Sequence, residues 1–199
     1  MSVLHGHGDD ALQPVPRRFA KASLRDYPPC EPVGLAASWL AHFGAGMENL
    51  PGLYINGPVG VGKSHLAAAL ANEIPRAVWC PMHRFFHIVR SSYAHSDATH
   101  NAPAAVAWLL SEAPTVVLDD IGRPPLRTQW ERDMTETLVA TLYDARTMVI
   151  ATGNLSIQDM IEQSSLPERS LTCLREMLAP LRLDGPSRRT VPKPNLMIR

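Results

Sequence analysis

The 199-residue sequence is short of cysteine, of net charge and of long apolar runs, and each shortage excludes something. Its three cysteines, Cys30, Cys80 and Cys173, are isolated and odd in number, which suggests reduced thiols in a cytoplasmic protein rather than a disulfide framework. Nineteen basic residues balance nineteen acidic ones, so bulk positive charge cannot hold a nucleic acid; such binding needs a local patch. No apolar run approaches the roughly 18 residues of a membrane span. The first ten residues carry acids and no apolar stretch, unlike a secretory signal. What is present is 45% apolar residues, enough for a real core, which excludes global disorder. At roughly 150 residues per domain, the length fits one domain with modest extensions.

Charge is unevenly placed along the chain. Residues 111–144 contain seven acids and three bases, whereas residues 167–199 contain seven bases and three acids. The two regions therefore carry −4 and +4, a polarity suited to head-to-tail association but equally to two solvated faces. Eighteen prolines punctuate the chain, about twice the usual share. Five lie within residues 1–33, and residues 1–16 read as a flexible leader. The core is expected over residues 17–189, with a basic tail at 190–199.

Periodicity supplies the elements. Leu35, Trp39 and Phe43 recur at i, i+4 and i+8, which predicts a helix over 34–43. A short strand at 53–55 precedes a Gly-rich turn and a helix over 64–74. A strand at 77–80 leads to a helix at 84–93 and a polar loop at 91–103. Residues 104–110 read as helical. Thr115 to Leu118 is a wholly apolar-facing, β-branched run, as a buried central strand requires. The longest helix is expected over 127–145, followed by strands at 148–151 and 181–183. Strands alternating with helices predict an α/β fold with a mainly parallel five-stranded sheet.

The strongest chemical signal is Gly57-Pro58-Val59-Gly60-Val61-Gly62-Lys63-Ser64, which satisfies G-x-x-x-x-G-K-[ST]. Glycines let backbone N–H groups curl around phosphate oxygens. Lys63 reaches the β- and γ-phosphates, and the Ser64 hydroxyl binds Mg²⁺. The next helix points its positive end at the anion. A chance match in a chain of this length is on the order of one in a hundred. Here an apolar strand also precedes the loop and a helix follows.

Val116-Val117-Leu118-Asp119-Asp120 is the second signal. Acids at the end of a buried strand lie at the carboxyl edge of the sheet, where ligands of such folds bind. Asp119 is expected to hold Mg²⁺ opposite Ser64, and Asp120 to polarise the attacking water. An Asp-Asp pair before Gly122 is also ordinary turn chemistry. Third, Ala151-Thr152-Gly153-Asn154 puts a polar amide at the end of the next strand, where Asn154 would touch the γ-phosphate or orient the water.

On these residues the chain resembles the DnaC/IstB-type AAA+ ATPases: residues 18–24 (RFAKASL), GPVGVGKSHLA with its His65, LDDIG, TGN and the closing RLDGPSRR. The resemblance spans about residues 18–189. It implies a five-stranded AAA+ core without a helical lid, ATP and Mg²⁺ as cofactors, and His65 within the nucleotide-binding stretch. It also implies an ATP-assembled oligomer whose inner face contacts single-stranded DNA, with a replicative helicase or a transposase as partner. Two departures stand out. Loaders of this family carry an N-terminal helicase-binding domain, where about sixteen unpatterned residues precede the core here. The family's Ser-Arg-Leu, whose arginine completes a neighbour's active site, aligns with Thr172-Cys173-Leu174; Arg169 and Arg175 stand nearby.

Weaker constellations remain. His83 and His87, four apart on a helix, suit a metal less well than a partly buried or DNA-facing pair. Arg84, Phe85, Phe86 and Arg90 could pair and stack with a single strand, although core packing accounts for at least one phenylalanine. Trp39, Trp79 and Trp108 are expected in the core. The reading that fits best is a slowly hydrolysing ATPase that loads a replicative helicase. A transposition helper ATPase shares every motif, and a non-hydrolysing ATP-gated regulator also fits. A small-molecule kinase would need a lid and an acceptor segment that the sequence does not display.

Overall fold

In a computed structural model the described residues are 15–94, 107, 110–122, 128–163 and 166–188. The expected leader (except Val15 and Pro16), most of the 91–103 loop and the 104–110 helix, Trp108, and the basic tail lie outside them. Within the described residues, five strands form one parallel sheet in the order β2-β3-β4-β1-β5: β1 Gly52–Asn56, β2 Val78–Pro81, β3 Thr115–Asp119, β4 Met148–Gly153 and β5 Leu178–Arg182. The helices are α1 Glu31–Gly44, α2 Lys63–Asn72, α3 Met82–Ala94, α4 Gln129–Asp144, α5 Ile157–Glu162 and α6 Glu168–Met177.

Strand alternation divides the core into two layers. Leu53 and Ile55 of β1 and Val117 of β3 face one side, where they pack with α1, α2 and residues 15–27. Tyr54, Val116, Leu118 and Val149 face the other side, under α3, α4, α5 and α6. Central strands buried on both faces read as continuous apolar runs, as β3 does. Six consecutive residues of α2, Leu66 to Ala71, are buried. Fully burying each such leucine is worth about 1.5–3 kcal/mol, which fixes α2, and with it the loop before it, against the sheet.

Most elements fall where periodicity put them. Two helices, α5 and α6, lie where periodicity placed no element, and β5 begins at Leu178 rather than 181 because α6 runs into it without an intervening turn. Pro180 lies within this strand. It is tolerated because β5 is an edge strand with β1 as its one neighbour. The α3 helix also continues to Ala94, beyond the expected start of the polar loop. Trp39, Trp79 and Phe85 are buried as expected.

Candidate nucleotide site

The site forms at the carboxyl ends of β1, β3 and β4. Asn56 of β1 pairs in register with Gly153 of β4, so the phosphate loop and Asn154 leave adjacent strands side by side. Leu118 and Ala151 pair one strand further on, which brings Asp119 and Asp120 to the same edge.

The loop has the backbone that its glycines allow. Gly57, Gly60 and Gly62 have φ of 148°, 89° and 105°. A Cβ on Gly57 would stand 1.9 Å from the carbonyl oxygen of Leu183, and one on Gly60 would stand 2.2 Å from Ser187 Oγ, so neither position accepts a side chain without displacing the segment after β5. Gly62 precedes α2, and no side chain caps that helix. Its first-turn N–H groups are thereby left to an anion. Lys63 Nζ donates to the carbonyls of Gly57 (2.9 Å) and Pro58 (2.8 Å), which holds its ammonium over the loop. Pro58 and Val59 are exposed at the tip, whereas Val61 is buried and anchors the loop from below.

The carboxylates are arranged by one threonine. Ser64 Oγ donates to Asp119 Oδ1 at 2.7 Å, and Thr152 Oγ1 donates to the same oxygen at 2.8 Å. Thr152 also accepts from Asp120 N at 2.9 Å, and its carbonyl accepts from Ile121 N at 2.8 Å. Asp119 is thus buried and oriented, while Asp120 sits half-buried at the strand end with a left-handed φ of 66°. A left-handed backbone at Asp120 ends the strand's alternation there. Ser64 and Asp119 suit Mg²⁺, which takes one or two carboxylates and completes its shell with waters and nucleotide phosphates. Among the described residues no group of three or more His, Cys, Asp or Glu side chains could hold a metal, and His83 and His87 are both exposed on α3.

Asn154 is half-buried at the end of β4. Its approach is fixed by Tyr54, whose hydroxyl donates to the Leu155 carbonyl at 2.6 Å from the middle of β1. Burial pushes that phenol well above its usual value, so it stays neutral and donates. A Cβ on Gly153 would lie 2.1 Å from the same hydroxyl, which requires glycine before Asn154.

His65 lies in the first turn of α2, directly after Ser64. Its Nε2 lies 2.8 Å from Asp26 Oδ2, and its ring meets Phe19 and Tyr27 edge-on. It ties the segment before α1 to the first turn of α2. Asp26 also closes a capping box with Ser23; the Ser23 N–H, then His65, hold its carboxyl below the ordinary value.

Sequence reasoning left Thr152 and Tyr27 without individual roles at this edge. Thr152 carried a signal, a polar residue within the apolar run of β4. Tyr27, whose hydroxyl donates to the Gly62 carbonyl at 2.7 Å across 35 positions, carried none.

A parallel sheet in this order, with a phosphate loop after β1, an Asp-Asp pair after β3 and a polar amide after β4, defines an ATP-binding AAA+ module, and no helical lid is evident among the described residues. The chain belongs to the IstB-like ATP binding protein family, whose sequence model matches residues 44–171. Its fold is similar to that of DnaI (TM-score 0.68, 23% identity, covering 87% of this chain and 94% of that one). It is equally similar to the DnaC helicase loader (TM-score 0.69, 23% identity, 85% and 100%). The replication initiator DnaA, in a structure bound to AMPPCP and single-stranded DNA, matches with TM-score 0.67 and 16% identity over 86% of this chain and 51% of that one. No curated protein sequence matches the chain significantly.

Proposed function

We propose that the protein hydrolyses ATP and acts on single-stranded DNA in replication, as a loader of a replicative helicase in the cytoplasm. The observation that carries the hydrolytic reading is the hydrogen-bonded set Ser64–Asp119–Thr152, to which the Asp120 backbone N–H is also joined. Backbone N–H groups of the loop and the start of α2 bind the phosphates, and Lys63 neutralises charge on the β- and γ-oxygens. Ser64 and Asp119 would hold Mg²⁺, which would supply Lewis-acid charge at the transferring phosphoryl group. Asp120 accepts the proton of the attacking water, and Asn154 orients that water or the γ-phosphate.

The loader reading draws on the likeness to DnaI and to the DnaC helicase loader. A second reading, helper ATPase of a transposase, draws on the IstB-like family match. A pull-down with ATP-loaded protein separates them: capture of the replicative helicase supports the first, capture of a transposase the second.

For DNA, α3 offers the exposed His83, His87 and Arg90 and the half-buried Arg84. Phe86 packs at 5.9 Å from Trp130, over which Arg90 stands at 4.6 Å. One electrically neutral subunit provides few phosphate contacts, so binding is expected to require ATP-driven assembly and to fall with salt. Fluorescence anisotropy of a labelled oligonucleotide with ATP, ADP and no nucleotide checks this. Tight binding by nucleotide-free monomers contradicts it.

A further inference from the structure

We propose that Arg188 is a second side-chain cation for the polyphosphate of a bound nucleotide, acting from the opposite end of the loop to Lys63. The inference rests on the phosphate-loop reading above. Three contacts bring this residue to the loop from the far side of β5. Its backbone N–H donates to the Gly60 carbonyl at 2.8 Å, which stitches the chain after β5 to the loop. Its guanidinium carbon lies 4.2 Å from the centre of the Tyr27 ring, and Tyr27 in turn donates to the Gly62 carbonyl. Its Cδ lies 3.4 Å from the point where a Cβ on Gly62 would stand, so its stem passes over the glycine that opens α2.

The two cations divide the loop between them. Lys63 Nζ sits at the carbonyls of Gly57 and Pro58, whereas Arg188 sits at Gly60 and Gly62. Arg188 is exposed and forms no ion pair among the described residues; Arg182 in the same segment is engaged by Asp184 at 2.8 Å. An exposed guanidinium gains little from an aromatic face and more from a bidentate, charge-assisted pair with phosphate oxygens. A phosphate entering the loop therefore draws the guanidinium off Tyr27 while the backbone bond to Gly60 keeps the stem in place. The arginine thus couples nucleotide occupancy to the segment before α1, through the ring it leaves.

Titration of a fluorescent ATP analogue tests the assignment with Arg188→Gln, which keeps the stem, Arg188→Lys, which keeps the charge, and Arg182→Gln as control. Losing one charge-assisted pair is expected to weaken binding about 10- to 100-fold in Arg188→Gln. Arg188→Lys recovers most of that loss, Arg182→Gln matches wild type, and the nucleotide-free melting temperature is unchanged in all three. Wild-type affinity in Arg188→Gln overturns the proposal. So does equal weakening in the Gln and Lys variants with a lowered melting temperature, which marks a structural role. Lys63→Ala in parallel separates the failures. Binding kept in that variant overturns the phosphate-loop reading itself, whereas binding lost there but unchanged in Arg188→Gln overturns the Arg188 assignment alone.

Discussion

Two regions that the family resemblance links to one reaction are built in different ways. At the carboxyl edge of the sheet, Ser64, Asp119, Thr152 and the Asp120 backbone are already joined by hydrogen bonds within one chain. On α6, by contrast, the groups are dispersed. Ser170, Leu171 and Leu174 are buried against the body, and Cys173 is half-buried at the edge of that contact. Burial, against the opposing pull of Arg169, holds its thiol above the ordinary value and therefore neutral. Arg169 lies 3.8 Å from Glu136, and Glu176 is hydrogen-bonded to Tyr143. Arg175 is exposed and lines a cleft of about 440 Å³ between α4, α5 and α6, together with Arg132 and Thr172. One region is joined into a single hydrogen-bonded set; the other is a surface of separate, mostly exposed groups. The polar groups at the sheet edge are fixed by the strands, whereas those on α6 are set by the solvent-facing side of one helix.

The largest expected effect breaks the first region outright. Lys63→Ala should abolish binding of a fluorescent ATP analogue, because the ammonium held over Gly57 and Pro58 is lost. Unchanged affinity would remove the loop from nucleotide binding. Asp120→Asn should keep ATP affinity and lower steady-state turnover by about 10²–10⁴-fold, since an amide cannot take the proton of water. Turnover equal to wild type would move the base elsewhere. The smallest effect sharpens the second region. An arginine supplied in trans can be worth about 10³–10⁵ in rate, and a neutral thiol supplies none of it. Cys173→Arg should raise turnover about tenfold or more, short of that ceiling. The gain should appear only at protein concentrations where subunits meet, with ATP affinity unaltered. Turnover against protein concentration for wild type, Cys173→Arg and Arg175→Ala gives the reading. A fast wild type that collapses only in Arg175→Ala would assign the trans cation to Arg175. Indifference to both changes would take α6 out of the reaction.

The legible part of this protein was written in short-range patterns. The phosphate loop needs eight adjacent residues, and the strand-end acids and the Thr-Gly-Asn turn need only a few each; all stand where spacing placed them. The strand limits at β5 were harder, because Pro180 is a strand breaker unless the strand has one free edge, and edge position is a property of the assembled sheet. His65 shows the same limit at the site. Its place after Ser64 is local, but no local pattern shows that its ring is engaged by Asp26, Tyr27 and Phe19 from a segment about forty residues earlier.

What the sequence by itself determined is the set of local chemistries: which residues can cradle phosphate, hold a divalent cation or take a proton. Those follow from side-chain type and backbone freedom within a few residues. Only the tertiary structure decided that Thr152 locks Asp119, that Tyr54 fixes the approach to Asn154, and that Tyr27 and Arg188 close on the same loop from the two ends of the domain. Those pairs are 33, 101, 35 and 161 positions apart, the last being Tyr27 to Arg188 (188 − 27). They meet because a parallel sheet with β1 inserted between β4 and β5 gathers the ends of distant strands at one edge. Contacts of that range come from crossover topology and burial, which no local pattern encodes.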